Sequence, residues 1–240
     1  MQWFYGPGAA VRVNDNLIAL APTPLFHFEV ADADAMHARL LEMIRSDMAE
    51  DDTAANRGIE PGTPGIVTRN RGLPAGGAVA WQEQAAYVPV NSMLDRDHPD
   101  VRDLRDAILK AAAFVSKSIL GGQDFDTRIL SSWVQRYSND DFHNMHHHKG
   151  RNFHPVWQHD MNGLTLWSGA YYIDDGAPDP HRDYSGVLTF NIHGSLFHVR
   201  PKPGLMLMWP SEVFHFVNPF VGARERVMLS WNLGFFRRET

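Results

Sequence analysis

From Gly122 onward the chain is cut into short apolar runs by turn residues, and this rhythm limits the possible folds more than any other feature. The runs are "RILSSWVQRYS", "LTLWSGAYYIDD", "SGVLTFNIHG", "LFHVRPKPG", "LMLMWPS", "VFHFVNPF" and "RVMLSWNLGFF". They are rich in β-branched and aromatic residues, mostly too short for helices, and bounded by Gly, Pro, Asn and Asp. About seven strands in a sandwich or barrel are therefore predicted.

The first 122 residues read differently. "AVRVNDNLIAL" and "PLFHFEV" are short extended pieces broken by Pro22 and Pro24. Asp32 and Asp34 are candidate caps for a helix in which Met36, Leu40, Met43 and Ile44 recur at helical spacing through about Met48. From Asp51 to Gly77, Gly, Pro, Asn and Arg without a period predict a long surface loop. A second helix opens at Pro99, carries Val101, Leu104, Ile108, Val115 and Ile119 as one stripe, and stops at Gly121 and Gly122. With 240 residues, 44% of them hydrophobic, the chain can bury one good core. The expected class is α+β, mainly β: one domain over residues 1–240, in which 1–122 supplies strands and helices packed on a sheet and 123–240 carries the chemistry.

Composition narrows the partners. A net charge of −6 gives no electrostatic reason to expect a nucleic acid or an anionic membrane surface. No stretch approaches the length of a membrane span, and the N-terminus lacks the order of a signal peptide. The absence of cysteine excludes disulfides, thiolate metal sites and thiol nucleophiles, and agrees with a reducing, cytoplasmic location. A small-molecule or peptide substrate is the expectation, and the edge strands of such a fold leave room for a homodimer.

Ten of the thirteen histidines lie between His143 and His215, four of them in "DFHNMHHHKG". In an extended strand side chains alternate, so His146 and His148 face one way and His147 the other. Such a pair closes on an ion once a third imidazole arrives from a distant strand, and His215 in "MWPSEVFHFVNP" is the best third ligand. His181, His193 and His198 compete with it but have no second ligand at matching spacing. A fortuitous surface cluster is the bland alternative. Three histidines do not name a reaction: zinc with an open position hydrolyses or hydrates, whereas iron with open positions takes a bidentate cosubstrate and oxygen. A non-catalytic binding module with a structural metal is a third option. The discriminator is a cation that holds a carboxylate. Arg226, eleven residues after His215 on the next strand, has the planar fork for the far end of 2-oxoglutarate; spacing alone equally allows a surface strand residue. Arg224 sits in the turn and is read as solvated.

The ordered set of His146-His147-His148, "SGAYYI" from Ser168, "SGVLTF" from Ser185, "KPGLMLMWPSEVFHFV" from Lys202 and "GARERVMLSWN" from Gly222 resembles the 2-oxoglutarate and Fe(II)-dependent oxygenases related to prolyl hydroxylases. The resemblance spans about Trp133 to Asn232. It implies a double-stranded β-helix (a cupin-like jelly roll) with Fe(II) on His146, His148 and His215. It also implies 2-oxoglutarate as cosubstrate on Arg226. The acidic second ligand usual in the wider superfamily is His148 here. Tyr137 and Ser230, with Tyr171 and Tyr172, are candidates for hydrogen bonds to the cosubstrate or to the ligands. Trp133, Trp167, Trp209 and Trp231 are read as core or pocket wall. "GGAVAW" near Trp81 is weakly similar to the substrate side of such proteins. Residues 151–164 look like an insertion holding His154, His159 and Asp160, the last a candidate carboxylate.

Overall fold

The computed structural model describes residues 23–55, 67–69, 93–119, 125–148 and 165–237. Chain order is β1 (Phe26–Glu29), α1 (Asp34–Ala55), β2 (Val67–Arg69), a 3-10 turn (Met93–Asp95), α2 (Pro99–Ile119), β3 (Phe125–Tyr137), β4 (His143–His146), β5 (Thr165–Asp174), β6 (Leu188–Ile192), β7 (Ser195–Val199), β8 (Leu205–Pro210), β9 (Phe214–Val217) and β10 (Arg226–Arg237).

The pairing of the last eight strands defines the architecture. β3 pairs with β10, β4 with β9, β5 with β8 and β6 with β7, all antiparallel. This is one long two-stranded ribbon, folded at the β6–β7 hairpin and wound into a helix. Winding adds the β5–β10 and β6–β9 pairs, giving a six-stranded sheet in the order β1-β8-β5-β10-β3-β2 and a four-stranded sheet in the order β4-β9-β6-β7. The fold is a double-stranded β-helix. Its hairpin turns through His193 and Gly194, both at positive φ (51° and 83°), as a two-residue primed turn requires. The Asn191 side chain accepts the Gly194 N–H at 3.0 Å.

Two apolar layers hold the sheets. Between them lie Tyr137, Tyr172, Leu188, Phe190, Leu207, Trp209, Val217 and Met228. Outside the larger sheet, Leu40 and Ile44 of α1 and Val101, Leu104, Ile108, Ala112 and Val115 of α2 pack against Trp167, Tyr171, Leu229 and Trp231. Arg39 of α1 donates two hydrogen bonds to buried Asp100 of α2 (2.8 and 2.6 Å), which fixes the helices against each other.

The second helix lies where its stripe predicts. The expected loop from Asp51 to Gly77 needs correction: α1 runs on to Ala55, and Val67–Arg69 adds to β3 as a parallel edge strand. Ala54 and Ala55 favour helix, and Val67 with Thr68 favours strand, so the helix runs on and a short strand forms despite the surrounding polarity. "AVRVNDNLIAL", Trp81 and residues 151–164 lie outside the described residues.

Gly169 of β5 faces the Trp231 indole. A Cβ there would stand 2.3 Å from Trp231 Cε2 and Cζ2, and Trp231 is fully buried. Gly169→Ala is therefore expected to cost about 2–3 kcal/mol through overpacking, read as a lower urea midpoint at unchanged m. An unchanged midpoint would mean that the indole has room to move.

Candidate metal centre

The β4–β9 ladder places His146 directly opposite His215. β4 ends at His146, which corrects the expectation that His148 lies within the same strand. The His148 N–H leaves the ladder and donates to the Ser211 carbonyl at 2.8 Å, at the end of β8. The alternation survives this bend. His146, His148 and His215 converge with one ligand atom each, all within 4.8 Å of one another. His147 turns away and packs edge-on against Phe214, ring centroids 4.6 Å apart.

All three imidazoles are held in one tautomer. His146 Nδ1 contacts the Asn144 carbonyl at 2.7 Å, His215 Nδ1 the Val213 carbonyl at 2.9 Å, and His148 Nδ1 the Asn232 Oδ1 at 2.7 Å. An oxygen that can only accept requires Nδ1 to carry the hydrogen, so each Nε2 presents a lone pair. Asn232 is itself oriented by Ser168, whose hydroxyl donates to its Oδ1 at 2.9 Å, and by Ser131, which accepts from its Nδ2 at 3.1 Å. Burial pushes His148 down to about 3, with the neighbouring His146 adding to the shift, and burial likewise lowers His146 and His215. At neutral pH the rings are uncharged, yet His148 Nε2 and His146 Nε2 stand 3.2 Å apart. Two lone pairs at that distance repel, and a cation between them removes the conflict. The donor set therefore fits a divalent metal with three imidazole ligands.

Trp133 and Trp209 wall the centre, ring centroids 5.7 Å from His148 and 5.0 Å from His215. Arg226, at the start of β10, is 0% exposed and lies against Tyr137 and Tyr172 of the layer between the sheets. Its Nη1 donates to the Gly186 carbonyl at 2.8 Å and its Nη2 to Met228 Sδ at 3.2 Å. The guanidinium carbon lies 4.6 Å from the Tyr137 ring centroid and 5.1 Å from that of Tyr172. Arg226 Nε and the Tyr172 hydroxyl are buried with no hydrogen-bond partner among the described residues. A buried cation is unfavourable without a counter-charge, and the described residues supply none to Arg226, so this arrangement suits an anionic ligand.

The other candidates separate cleanly. Tyr137 and Ser230 both donate to Gln135 Oε1, at 3.4 and 3.2 Å, and Gln135 stands opposite Met228 in the β3–β10 pair. Tyr171 faces the helices, where its hydroxyl meets His37 Nε2 at 2.6 Å, so it is not at the site. Trp167 and Trp231 are also in the helix-side core. Arg224 is exposed and pairs with Asp174 at 3.0 Å. His193 occupies the hairpin turn, His198 contacts Thr189 Oγ1 at 3.0 Å, and His181 lies in an exposed loop. His154, His159 and Asp160 lie outside the described residues. Sequence reasoning missed Asn232, Gln135 and Met228. Counting in twos back from Asn232 through Ser230 and Met228 to Arg226 would have placed them on one face.

The single variants His146→Ala, His148→Ala and His215→Ala are each expected to abolish tight binding of Co(II) or Zn(II) in calorimetric titration, while His147→Ala retains it. Asn232→Leu should weaken binding roughly ten- to a hundredfold by releasing His148. Because these histidines stay neutral in the folded chain and protonate near 6.5 once unfolded, the metal-free protein is fully stable above that pH. It loses stability progressively as pH falls below it. A melting temperature flat from pH 8 to 5 would contradict the burial of the rings.

No protein-family model matches the chain, and no curated protein sequence matches it. Solved structures do. The crystal structure of AviO1 from Streptomyces viridochromogenes Tue57 is similar at a TM-score of 0.52 with 12% identity, over 88% of this chain and 89% of that one. The viral collagen prolyl hydroxylase vCPH from Paramecium Bursaria Chlorella virus-1, solved as a 2OG complex, is similar at 0.48 with 14% identity, over 88% and 95%. A Pseudomonas putida prolyl-4-hydroxylase is similar at 0.43 with 22% identity, over 60% and 69%. The likeness to AviO1 agrees with the strand order derived above: the chain has the double-stranded β-helix fold.

Proposed function

We propose that the protein is a non-haem Fe(II), 2-oxoglutarate-dependent oxygenase acting on a small molecule or peptide. The observation that carries this reading is the Arg226 guanidinium, wholly buried on the strand that also carries Asn232, the partner of His148 in the three-histidine cluster, and without a carboxylate partner among the described residues. A metal hydrolase needs no such cation, whereas a dicarboxylate that bridges metal and arginine needs both.

On this reading His146, His148 and His215 hold the iron through Nε2, with their rings fixed by the Nδ1 contacts. Arg226 takes the far carboxylate of 2-oxoglutarate, and the Tyr172 hydroxyl beside it donates a second hydrogen bond. Trp133 and Trp209 keep water from the metal, and the phenol faces of Tyr137 and Tyr172 hold the guanidinium in place. Iron with 2-oxoglutarate supplies oxygen activation and hydroxylation of a C–H bond, with succinate and carbon dioxide as coproducts. Since the three ligands are neutral, the dianionic cosubstrate is what offsets the charge of the metal.

Anaerobic addition of Fe(II) and then 2-oxoglutarate is expected to develop the weak visible charge-transfer band of a chelated keto acid. Arg226→Met should keep iron binding and weaken 2-oxoglutarate binding by roughly tenfold or more, the worth of a charge-assisted pair. Iron binding with no band would sink the oxygenase reading and favour zinc-dependent chemistry at the same histidines.

A further inference from the structure

The four-stranded sheet is built without charge. None of β4, β6, β7 and β9 contains Asp, Glu, Lys or Arg, although such residues make up 21% of the chain. The solvent face of an antiparallel sheet ordinarily carries polar side chains. Here Leu196, Asn191 and Phe214 stand in one row across β7, β6 and β9, with Leu196 51% and Phe214 46% exposed. β7 is also an edge of this sheet. Edge strands are usually guarded by a charge, a proline or a bulge. The segment Ser195–Val199 has none of these, and its register with β6 runs unbroken. The two-residue turn makes Ile192 and Ser195 the hydrogen-bonded closing pair of the hairpin. Ser195, Phe197 and Val199 therefore direct their backbone groups to β6, and those of Leu196 and His198 point off the edge. Among the described residues nothing bonds to them.

We propose that two copies of the chain join through β7, antiparallel about a two-fold axis at Phe197, into one continuous sheet of order β4-β9-β6-β7-β7-β6-β9-β4. That register sets Leu196 of each copy opposite His198 of the other, and the backbone groups that point off the edge are the ones that pair. A two-fold contact needs a surface that complements itself. β7 meets this condition, because no like charges come together along it, whereas a net charge of −6 makes two copies repel elsewhere. Half-buried Phe197 and Val199 gain cover on one face of the seam. On the other face Leu196 does so together with exposed Tyr184, whose ring centroid lies 5.0 Å from that of His198. A second copy is favoured over a foreign strand because it brings the matching edge by symmetry. The inference is independent of the oxygenase reading, and it leaves β4 and β9, with His146 and His215, away from the seam.

The test is sedimentation velocity of the full chain across micromolar concentrations. The wild type is expected to sediment as a dimer, and Leu196→Lys, which sets a charge on the edge, to raise the dimer dissociation constant roughly tenfold or more. Ile119→Lys, at an exposed position of α2, should leave it unchanged. The register has its own probe, because the chain holds no cysteine. Phe197→Cys sets one thiol per copy beside the axis in a pair without backbone bonds, whose Cα separation of about 4.5 Å suits a disulfide. Mild oxidation should link this variant into a covalent dimer much faster than Ile119→Cys. A wild type that stays monomeric overturns the proposal and leaves the edge to a strand of another protein. A dimer undisturbed by Leu196→Lys, or one lost with Ile119→Lys, overturns it by placing the contact elsewhere. Where Phe197→Cys does not fold, the comparison of Leu196→Lys with Ile119→Lys decides alone. A dimer that behaves as stated beside a missing 2-oxoglutarate band would sink only the oxygenase reading.

Discussion

The pairing of β4 with β9 is the constraint on which the rest depends, because it sets His146 against His215 across an antiparallel ladder. Neither strand is long, and neither would hold such a register alone. The register is imposed by the ribbon as a whole: β3 with β10 on one side and β6 with β7 at the folded end leave β4 and β9 a single way to meet. His148 then completes the triad by leaving the ladder for the Ser211 carbonyl. A metal centre built this way is as rigid as the barrel around it.

Electrostatics follow from that geometry. Three neutral imidazoles, one buried and two half-buried, direct lone pairs at one point, and a buried guanidinium on the strand that carries Asn232 rests on two phenol rings with its Nε unpaired among the described residues. Each half is unfavourable without a partner: the lone pairs need a cation and the cation needs an anion. A metal chelated by a dicarboxylate answers both. Gln135, which receives the hydroxyls of Ser230 and Tyr137, adds polar groups to the same inner layer.

Much of this was legible in the sequence because strand periodicity is simple. The His146/His148 alternation and the α2 stripe follow from periods of two and of 3.6 residues, and the strand-turn rhythm after Gly122 and the distal His215 from the order of strands and turns. The failures occur where a period breaks. Tyr171 and Tyr172 are adjacent and so face opposite ways, but nothing in "SGAYYI" says which one faces the metal. The register shift between Val227 and Met228 further disconnects β5 from counting along β10. A second shift between His143 and His146 puts both rings on the inner side of β4, three residues apart, where strict alternation would separate them. Gln135 and Asn232 passed unnoticed because an amide becomes meaningful only once its partners are known.

The central claim is that one ligand joins the three histidines to Arg226. Its most direct test is a crystal structure of the protein soaked anaerobically with Fe(II) and an unreactive keto-acid analogue of 2-oxoglutarate, with the iron located by its anomalous scattering. The account predicts iron on Nε2 of His146, His148 and His215, the analogue chelating it, and the far carboxylate on Arg226 and the Tyr172 hydroxyl. Iron bound elsewhere, or an analogue whose far carboxylate turns away from Arg226, would contradict it.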